Sequence, residues 1–400
     1  MGDGHSPGTL AAASNEPSRS HEPSRSHPSR STTRRPARHR AARRRCPLSS
    51  QRPTLADVAS AAGVSVSTAS LAFSGAGPIA STTRERVLSA AADLGYLGPN
   101  PLGRQLRSGR SGIVGVVVGD ALRRSFRDPV SIQVLDGLVG TLGEMSLGVL
   151  LIPGPSDPAE APVDPLVLSA AMDVAVLLWG SGTQDPVLDA LRRRGVPTVV
   201  VEGVPEPDVA TVGIDDRRGM ADVVRHLQDL GHERFACVTL AFDRQRGEGF
   251  VEPARWDEVV WQVTRRRLDG VRDAGVTPES VYETPASLVE HGKAAGFAIL
   301  SREDRPTAVV CQSDLLASGV VLAARELGLA VPGDVSVAGF DGLDLPWLAP
   351  DVLTSVVQPL AEKGVVVGRA VASLLAGQMP EPTVLPVALR PGTTTGPAPR

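Results

Sequence analysis

Residues 54–75 read TLADVASAAGVSVSTASLAFSG, seven hydroxyl side chains against a single charge, Asp57. Ser and Thr hydroxyls at a helix start can reach phosphate oxygens or base edges. A second concentration of chemistry is PNPLGRQLRSGR at 99–110, rich in helix breakers and Arg. Bond-breaking chemistry finds little footing: there is no P-loop and no His/Cys cluster. Cys46, Cys237 and Cys311 have no short spacing, so neither a disulfide framework nor a zinc site is expected, and a reducing cytoplasm fits. His232, after Leu-Gly in DLGHERF, is read as a cap on a helix C-terminus rather than a ligand or a base.

The elements that position these groups divide the chain. Thr54 and Asp57 have the spacing of a capping box, and Leu55, Val58, Ala59 and Ala62 make a helical stripe. Gly63 stops that helix, and Ser65 caps a second in which Ala69, Ala72 and Phe73 face inward. Thr82 and Glu85 read as the start of a third, carried by Val87, Leu88, Ala91 and Leu94 to Gly95. Two helices joined by a Gly-containing turn have helix-turn-helix architecture, whose second helix enters the major groove. A small helical bundle with no partner is the bland alternative.

From 112 to about 395, β-branched runs such as GIVGVVVGD, MDVAVLLWG, RFACVTLAF and VSVAGFDG alternate with amphipathic stretches such as MADVVRHLQDLG. Buried strands alternating with helices predict doubly wound parallel sheets. Ligands of such sheets sit beyond the carboxyl ends of the strands, so the polar residues there are the candidates.

The 400 residues carry a net charge of −3, unevenly spread. Residues 1–50 hold ten Arg and three acids, and 51–112 hold six Arg and three acids. A basic front on an acidic body points to a polyanionic partner. Residues 1–50, with EPSRSH repeated at 16–21 and 22–27, have too little apolar surface to order themselves, and are expected to be either an arm that grazes DNA or the product of a start codon placed too early. No apolar h-region of a secretory signal stands at the N-terminus, and no apolar window reaches spanning length, so neither secretion nor a membrane partner is expected.

Together D-V-A-x-x-A-G-V-S, T-R-E-R-V, L-G-Y, P-N-P-L-x-R-x-L-R-x-G-R, DLGHERF, RPTAVVCQSDLLASG and GDVSVAGFDG resemble the lactose-repressor family over about 53–395. The resemblance implies an all-α helix-turn-helix domain plus a two-lobed, doubly wound α/β effector domain like the periplasmic binding proteins. The implied divisions are a basic tail at 1–51, a DNA-binding domain at 52–98, a hinge helix at 99–111 and an effector and dimerisation domain at 112–395. Within the last, one lobe takes about 112–213 and 358–395 and the other about 214–357. Crossovers are expected near 213–215, 355–358 and 340–345.

Site residues follow from the same resemblance. Val66, Ser67 and Leu71 would read bases; Leu71 stands where Arg is common, which removes a bidentate donor for guanine. Thr54, Ser65, Thr68 and Ser70, with Arg104 and Arg107, would meet phosphates, and Leu106 would wedge into the minor groove. An extra Gly98 departs from the family's hinge spacing, and Gly103 stands where Ala is common. Asp120, Asp128, Trp179, Arg267, Ser313, Asp314, Asp341 and Gln358 would bind an effector, carboxylates and one Arg suiting the hydroxyls of a carbohydrate or nucleoside. Trp347 could stack as well as Trp179, both with core packing as the alternative, and Arg267–Asp341 could be a structural ion pair. Asp215 and Asp216 are expected to be crossover hydrogen-bonders. The implied protein is a cytoplasmic homodimeric repressor on a pseudo-palindromic operator, without cofactor or metal. A corepressor-dependent regulator, a transport-type solute-binding protein and an enzyme on the same fold are the alternatives.

Overall fold

The structure is a computed structural model, and it describes residues 53–75, 77–98, 109–119, 122–154, 163–179 and 185–400. It forms two compact units, divided between Pro99 and Asn100.

The first unit is three helices, α1 (Leu55–Ala61), α2 (Val66–Ser74) and α3 (Ser81–Asp93). Thr54 caps α1 in a reciprocal capping box with Asp57, and Ser65 caps α2 by accepting from the Thr68 N–H. The chain turns by 104° between α1 and α2, within the range of a helix-turn-helix corner. Gly63 makes that corner at φ +63°, where a side chain is strained. Val58, Ala59, Ala62, Ala69, Ala72, Val87 and Ala91 form the core, closed by Phe73 edge-on to Tyr96. Two expectations fail on α3. It starts at Ser81 after Ala80, with no side-chain cap, rather than at a Thr82–Glu85 box. Leu88 and Leu94 are exposed, because with so short a helix on each side the smaller Val87 and Ala91 fill the available contact.

The second unit is built on two sheets. The first runs β12-β5-β4-β3-β1-β2, from β1 (Ile113–Val118), β2 (Gly148–Ile152), β3 (Val174–Leu178), β4 (Thr198–Val201), β5 (Ala210–Ile214) and β12 (Thr383–Leu385), all parallel. The second runs β13-β11-β10-β9-β6-β8-β7, from β6 (Phe235–Thr239), β7 (Gly249–Phe250), β8 (Ser280–Glu283), β9 (Ala308–Cys311), β10 (Ser336–Asp341), β11 (Thr354–Val357) and β13 (Ala388–Arg390). Its edge strands β7 and β13 are antiparallel and the rest parallel. Strands β3, β5, β6 and β10 are buried at every residue, as sheets covered on both faces require.

The helices are α4 (Leu122–Ser125), α5 (Pro129–Glu144), α6 (Pro165–Ser169), α7 (Pro186–Arg193), α8 (Asp216–Asp229), α9 (Gln262–Asp273), α10 (Val289–Leu300), α11 (Asp314–Glu326) and α12 (Leu360–Leu375). Helices α5 and α12 cross at glycines. A Cβ on Gly137 would lie 2.1 Å from the Ala361 carbonyl oxygen, and one on Gly364 would lie 2.1 Å from that of Val134.

The chain passes between lobes from β5 into α8, from β11 into α12, and from β12 into β13. The third passage corrects the expected crossover near 340–345 and the assignment of all of 358–395 to the first lobe. Leu389 pairs with Val356, and Thr394 bonds Val337, so the chain's last stretch completes the second sheet. An edge strand supplies the hydrogen bonds that β11 would otherwise leave open.

Candidate nucleic-acid interface and ligand cleft

On α2, Ala69 and Ala72 point into the bundle, and Val66, Ser67 and Leu71 are exposed on the opposite side. Thr68 and Ser70 are half-buried beside them. Ser65 Oγ lies 2.8 Å from Thr68 Oγ1 and 3.1 Å from Ser67 Oγ, so three hydroxyls gather at the positive end of one helix. Thr54 is occupied differently: its hydroxyl donates to Asp57 Oδ2 at 2.7 Å. Arg104, Leu106 and Arg107 lie outside the described residues, as does Asp120.

In the second unit, a cavity of about 160 Å³ opens beyond the carboxyl ends of the strands. Asp128, which caps α5, and Trp179, just after β3, reach it from the first lobe. Arg267 on α9, Ser313 capping α11, and Asp341 at the end of β10 reach it from the second, and Gln358 reaches it from the crossover after β11. Six of the eight expected effector residues therefore meet at one place. Arg246, Trp261 and Ser287 also line it, from loops where no periodicity marks them. Arg246 bridges the lobes, donating to the Gly119 and Pro285 carbonyls at 3.3 and 3.0 Å. Ser287 donates to Ser313 at 2.9 Å.

Asp314 is a correction. It does not line the cavity: Oδ1 accepts from Ser355 Oγ at 2.5 Å and Oδ2 from the Leu343 N–H at 2.7 Å, so it ties β10, β11 and α11 together. Burial pushes its carboxyl up to about 6. Trp347 does not line the cavity either and is 46 % exposed. Asp215 caps α8, as a crossover residue should. His232 does more than cap: its ring bonds Thr307 and Ser336 hydroxyls and the Gly396 carbonyl, fastening the C-terminal stretch to the second lobe.

Behind the cavity wall runs a buried polar chain. Arg267 donates from Nε to Asp216 at 2.8 Å and from Nη1 to the Gln312 carbonyl; the same Nη1 lies 3.6 Å from Asp341 Oδ1, and the guanidinium stacks on Phe340 at 3.7 Å. Gln358 Nε2 donates to Asp341 Oδ1 at 2.7 Å. Lys363 then donates to Gln358 Oε1 at 2.7 Å and to Glu202 Oε1 at 2.6 Å. Burial pushes the Asp216 carboxyl up to about 6 against the pull of Arg267, and pushes Asp341 well above the usual carboxylate range. Burial also raises Asp128. Arg267 is thus both an ion-pair partner and a wall of the cavity. Sequence reasoning missed Lys363 and Glu202; the available signal was a charge, Lys363, inside the otherwise apolar stripe of α12.

Trp179, Glu202 and Asp341 hold φ of 60°, 60° and 131°, conformations that non-glycine residues rarely adopt. All three stand at the carboxyl ends of strands, where such backbone is kept only if its surroundings over-determine it. Among the described residues no group of His, Cys, Asp and Glu is arranged to hold a metal.

Comparison with known proteins agrees with this geometry. Residues 54–100 match the bacterial regulatory proteins of the lacI family, and 224–395 match a periplasmic binding protein-like domain. The chain is 32 % identical over 352 residues to the HTH-type transcriptional regulator IpsA of Corynebacterium glutamicum, covering 86 % of this chain and 98 % of that one. It resembles the transcriptional regulator CelR in complex with cellobiose, at TM-score 0.60 and 27 % identity over 86 % of this chain and all of that one. The lac repressor dimer bound to operator and an anti-inducer shares the fold, at TM-score 0.71 and 24 % identity over 86 % of this chain and 99 % of that one. A helix-turn-helix unit and a two-lobed unit with a cleft, with relatives of this identity and coverage, make the chain a member of the lacI family of DNA-binding transcriptional regulators.

Proposed function

We propose that the protein is a cytoplasmic homodimeric repressor that binds a pseudo-palindromic operator and is controlled by a carbohydrate or nucleoside in the cleft. The observation that carries this reading is the cavity walled from both lobes by Asp128, Trp179, Arg267, Asp341 and Gln358. Carboxylates and amides beside an indole suit a small polyhydroxylated ring, whose hydroxyls both donate and accept and whose C–H face stacks. The CelR–cellobiose complex supports that class of ligand for a relative of this fold. Val66, Ser67 and Leu71 read bases; Thr54, Ser65, Thr68, Ser70, Arg104 and Arg107 neutralise or bond phosphates; Leu106 wedges between base steps. The cleft serves binding and not catalysis.

The test is a mobility shift on the DNA upstream of the protein's own gene, with and without ribose, cellobiose, adenosine and related compounds. The expected result is a salt-sensitive complex that one compound dissolves. A compound that strengthens the complex replaces induction by corepression. A protein that binds no double helix overturns the proposal.

A further inference from the structure

The chain has only two lysines, Lys293 and Lys363, in a cationic complement of 41 that is otherwise Arg. Lys293 sits on the surface, paired with Glu326. Lys363 is 1 % exposed, and it does not line the cavity. Its ammonium nevertheless holds what does. It donates to Gln358 Oε1 and to Glu202 Oε1, and lies 5.6 Å from the centroid of the Trp179 ring. Trp179 and Gln358 are both cavity walls.

We propose that Lys363 is a positioning residue for ligand recognition, fixing the Gln358 amide and the Trp179 ring from outside the cavity. This rests on the cleft being the ligand site, as proposed above. The Gln358 amide is fixed at both ends. Its oxygen is held by Lys363 and one of its N–H groups by Asp341 Oδ1, so its orientation is set and the group left for a ligand is an N–H. Asp341 beside it can only accept while ionised. With Asp341 ionised, donor and acceptor stand side by side, as a hydroxyl that offers both would need. The choice of Lys over Arg has a reason too. A compact ammonium with three tetrahedral donors can meet Glu202, Gln358 and an indole face at once, which a planar fork cannot. Trp179 and Glu202, both at φ 60°, are the strained residues this ammonium holds in place. Because Lys363 belongs to the first turn of α12, any ligand pull on Gln358 is felt by the helix that crosses α5 at glycine contacts.

The test uses the full-length protein. With 5-fluorotryptophan incorporated, the fluorine resonances of Trp179, Trp256, Trp261 and Trp347 are assigned by single Trp→Phe changes. Lys363→Met with Glu202→Gln removes the pair without leaving a buried carboxylate alone. The Trp179 resonance is expected to shift or split in this double variant, with Trp256 and Trp347 unmoved. An unchanged Trp179 resonance overturns the proposal. A second measurement needs no substitution: with only two lysines, lysine labelled at Nζ with nitrogen-15 reports Lys363 directly and Lys293 as control. Adding whichever of ribose, cellobiose or adenosine binds the wild type is expected to move the Lys363 signal alone. That compound should bind the double variant about tenfold more weakly, the loss of roughly one well-placed hydrogen bond. A bound compound that leaves the Lys363 signal in place also overturns the proposal. If neither these three nor the related carbohydrates and nucleosides bind, the carbohydrate-or-nucleoside reading fails, and the fluorine comparison still decides the role of Lys363.

Discussion

Replacing Arg267 by Met separates its two roles. In the fold Arg267 is 4 % exposed, and its guanidinium bonds Asp216 at 2.8 Å and stands 3.6 Å from Asp341. Met keeps much of the apolar stem against Phe340 and removes the charge. Asp216 is fully buried, its Oδ2 has no hydrogen-bond partner, and beyond Arg267 only the charge of Lys363 favours its ionised form. Breaking a buried pair by removing one partner costs about 3–5 kcal/mol. The pH dependence is the sharper part. With Arg267 present, the Asp216 carboxyl is raised from 3.8 to about 6 by burial. A carboxyl whose folded value lies above its unfolded value binds its proton more tightly in the fold. Stability then falls as pH rises through that window, by about 1.4 kcal/mol per pH unit, and levels off above the folded value. In the wild type this contribution is therefore flat above about pH 6. Removing Arg267 removes the attraction that holds the value down, so the window extends upward. Above about pH 6 the variant therefore goes on losing stability where the wild type does not, at up to about 1.4 kcal/mol per pH unit. Asp341, near the same guanidinium, moves in the same direction. Denaturant unfolding followed by circular dichroism at several pH values measures the gap between variant and wild type. It should widen with pH, and Asp216→Asn in the same background should close most of it. Parallel pH profiles, or no recovery with Asp216→Asn, would refute the assignment of Arg267 to Asp216. Lost ligand response in Arg267→Met proves a ligand contact only if the double variant, with its pair removed, remains unresponsive.

Three further outcomes follow from the geometry. Leu71→Arg restores a bidentate donor on the exposed side of α2, and selection of binding sites from random DNA should show a new guanine preference of about 1–3 kcal/mol; an unchanged consensus would place Leu71 away from the bases. Burial lowers the proton affinity of His232 below the ordinary 6.5, so its contribution is fully present above that value and is lost as pH falls through it. The buried carboxyls pull the other way in mild acid, so the readout is the difference from wild type: the cost of His232→Gln in the unfolding midpoint should shrink as pH falls below about 6.5, and a constant cost would refute the assignment. Gly364→Ala places a methyl 2.1 Å from the Val134 carbonyl oxygen, and overpacking of about 1–3 kcal/mol or more should exceed the gain of about 1 kcal/mol in helix propensity; thermal unfolding would show the sign.

The parts of the fold that could be read from the sequence are those set by local chemistry. The Thr54–Asp57 box, the Gly63 corner and the alternation of apolar runs with amphipathic helices each carry their own signal. Strand ends also declared themselves, and with the family resemblance they named Trp179, Ser313, Asp341 and Gln358, while the resemblance alone named Asp128 in its loop, before their meeting place was known. What failed depends on distant partners. Asp314 and Asp341 both stand at strand ends, yet Ser355 and the Leu343 N–H engage Asp314 in the protein interior, and neither is visible from the sequence around it. The pairing of β13 with β11 joins Leu389 to Val356 across a whole helix and a strand of the other lobe. Arg246 and Trp261 sit in stretches with no periodicity, so only the folded loops bring them to the cavity.

The contacts that join the lobes differ in what they can transmit. A compound that changes operator affinity tenfold must differ by about 1.4 kcal/mol in its interaction with two arrangements of the protein, and one that binds both equally changes nothing. Arg127 pairs with Glu290 across the cleft at 2.5 Å, but both are more than half exposed, and a surface pair is worth about 0–1 kcal/mol. That is too little to carry the switch alone. The chain from Glu202 through Lys363, Gln358 and Asp341 to Arg267 is buried throughout, and each link broken leaves a polar group unsatisfied at about 1–3 kcal/mol. One such link is the right size. Asp128 begins α5 and Gln358 lies just ahead of α12, and the two helices cross too closely at Gly137 and Gly364 to slide independently. A ligand that touches either residue therefore acts on both helices as one body, and the buried chain determines how far that body can move.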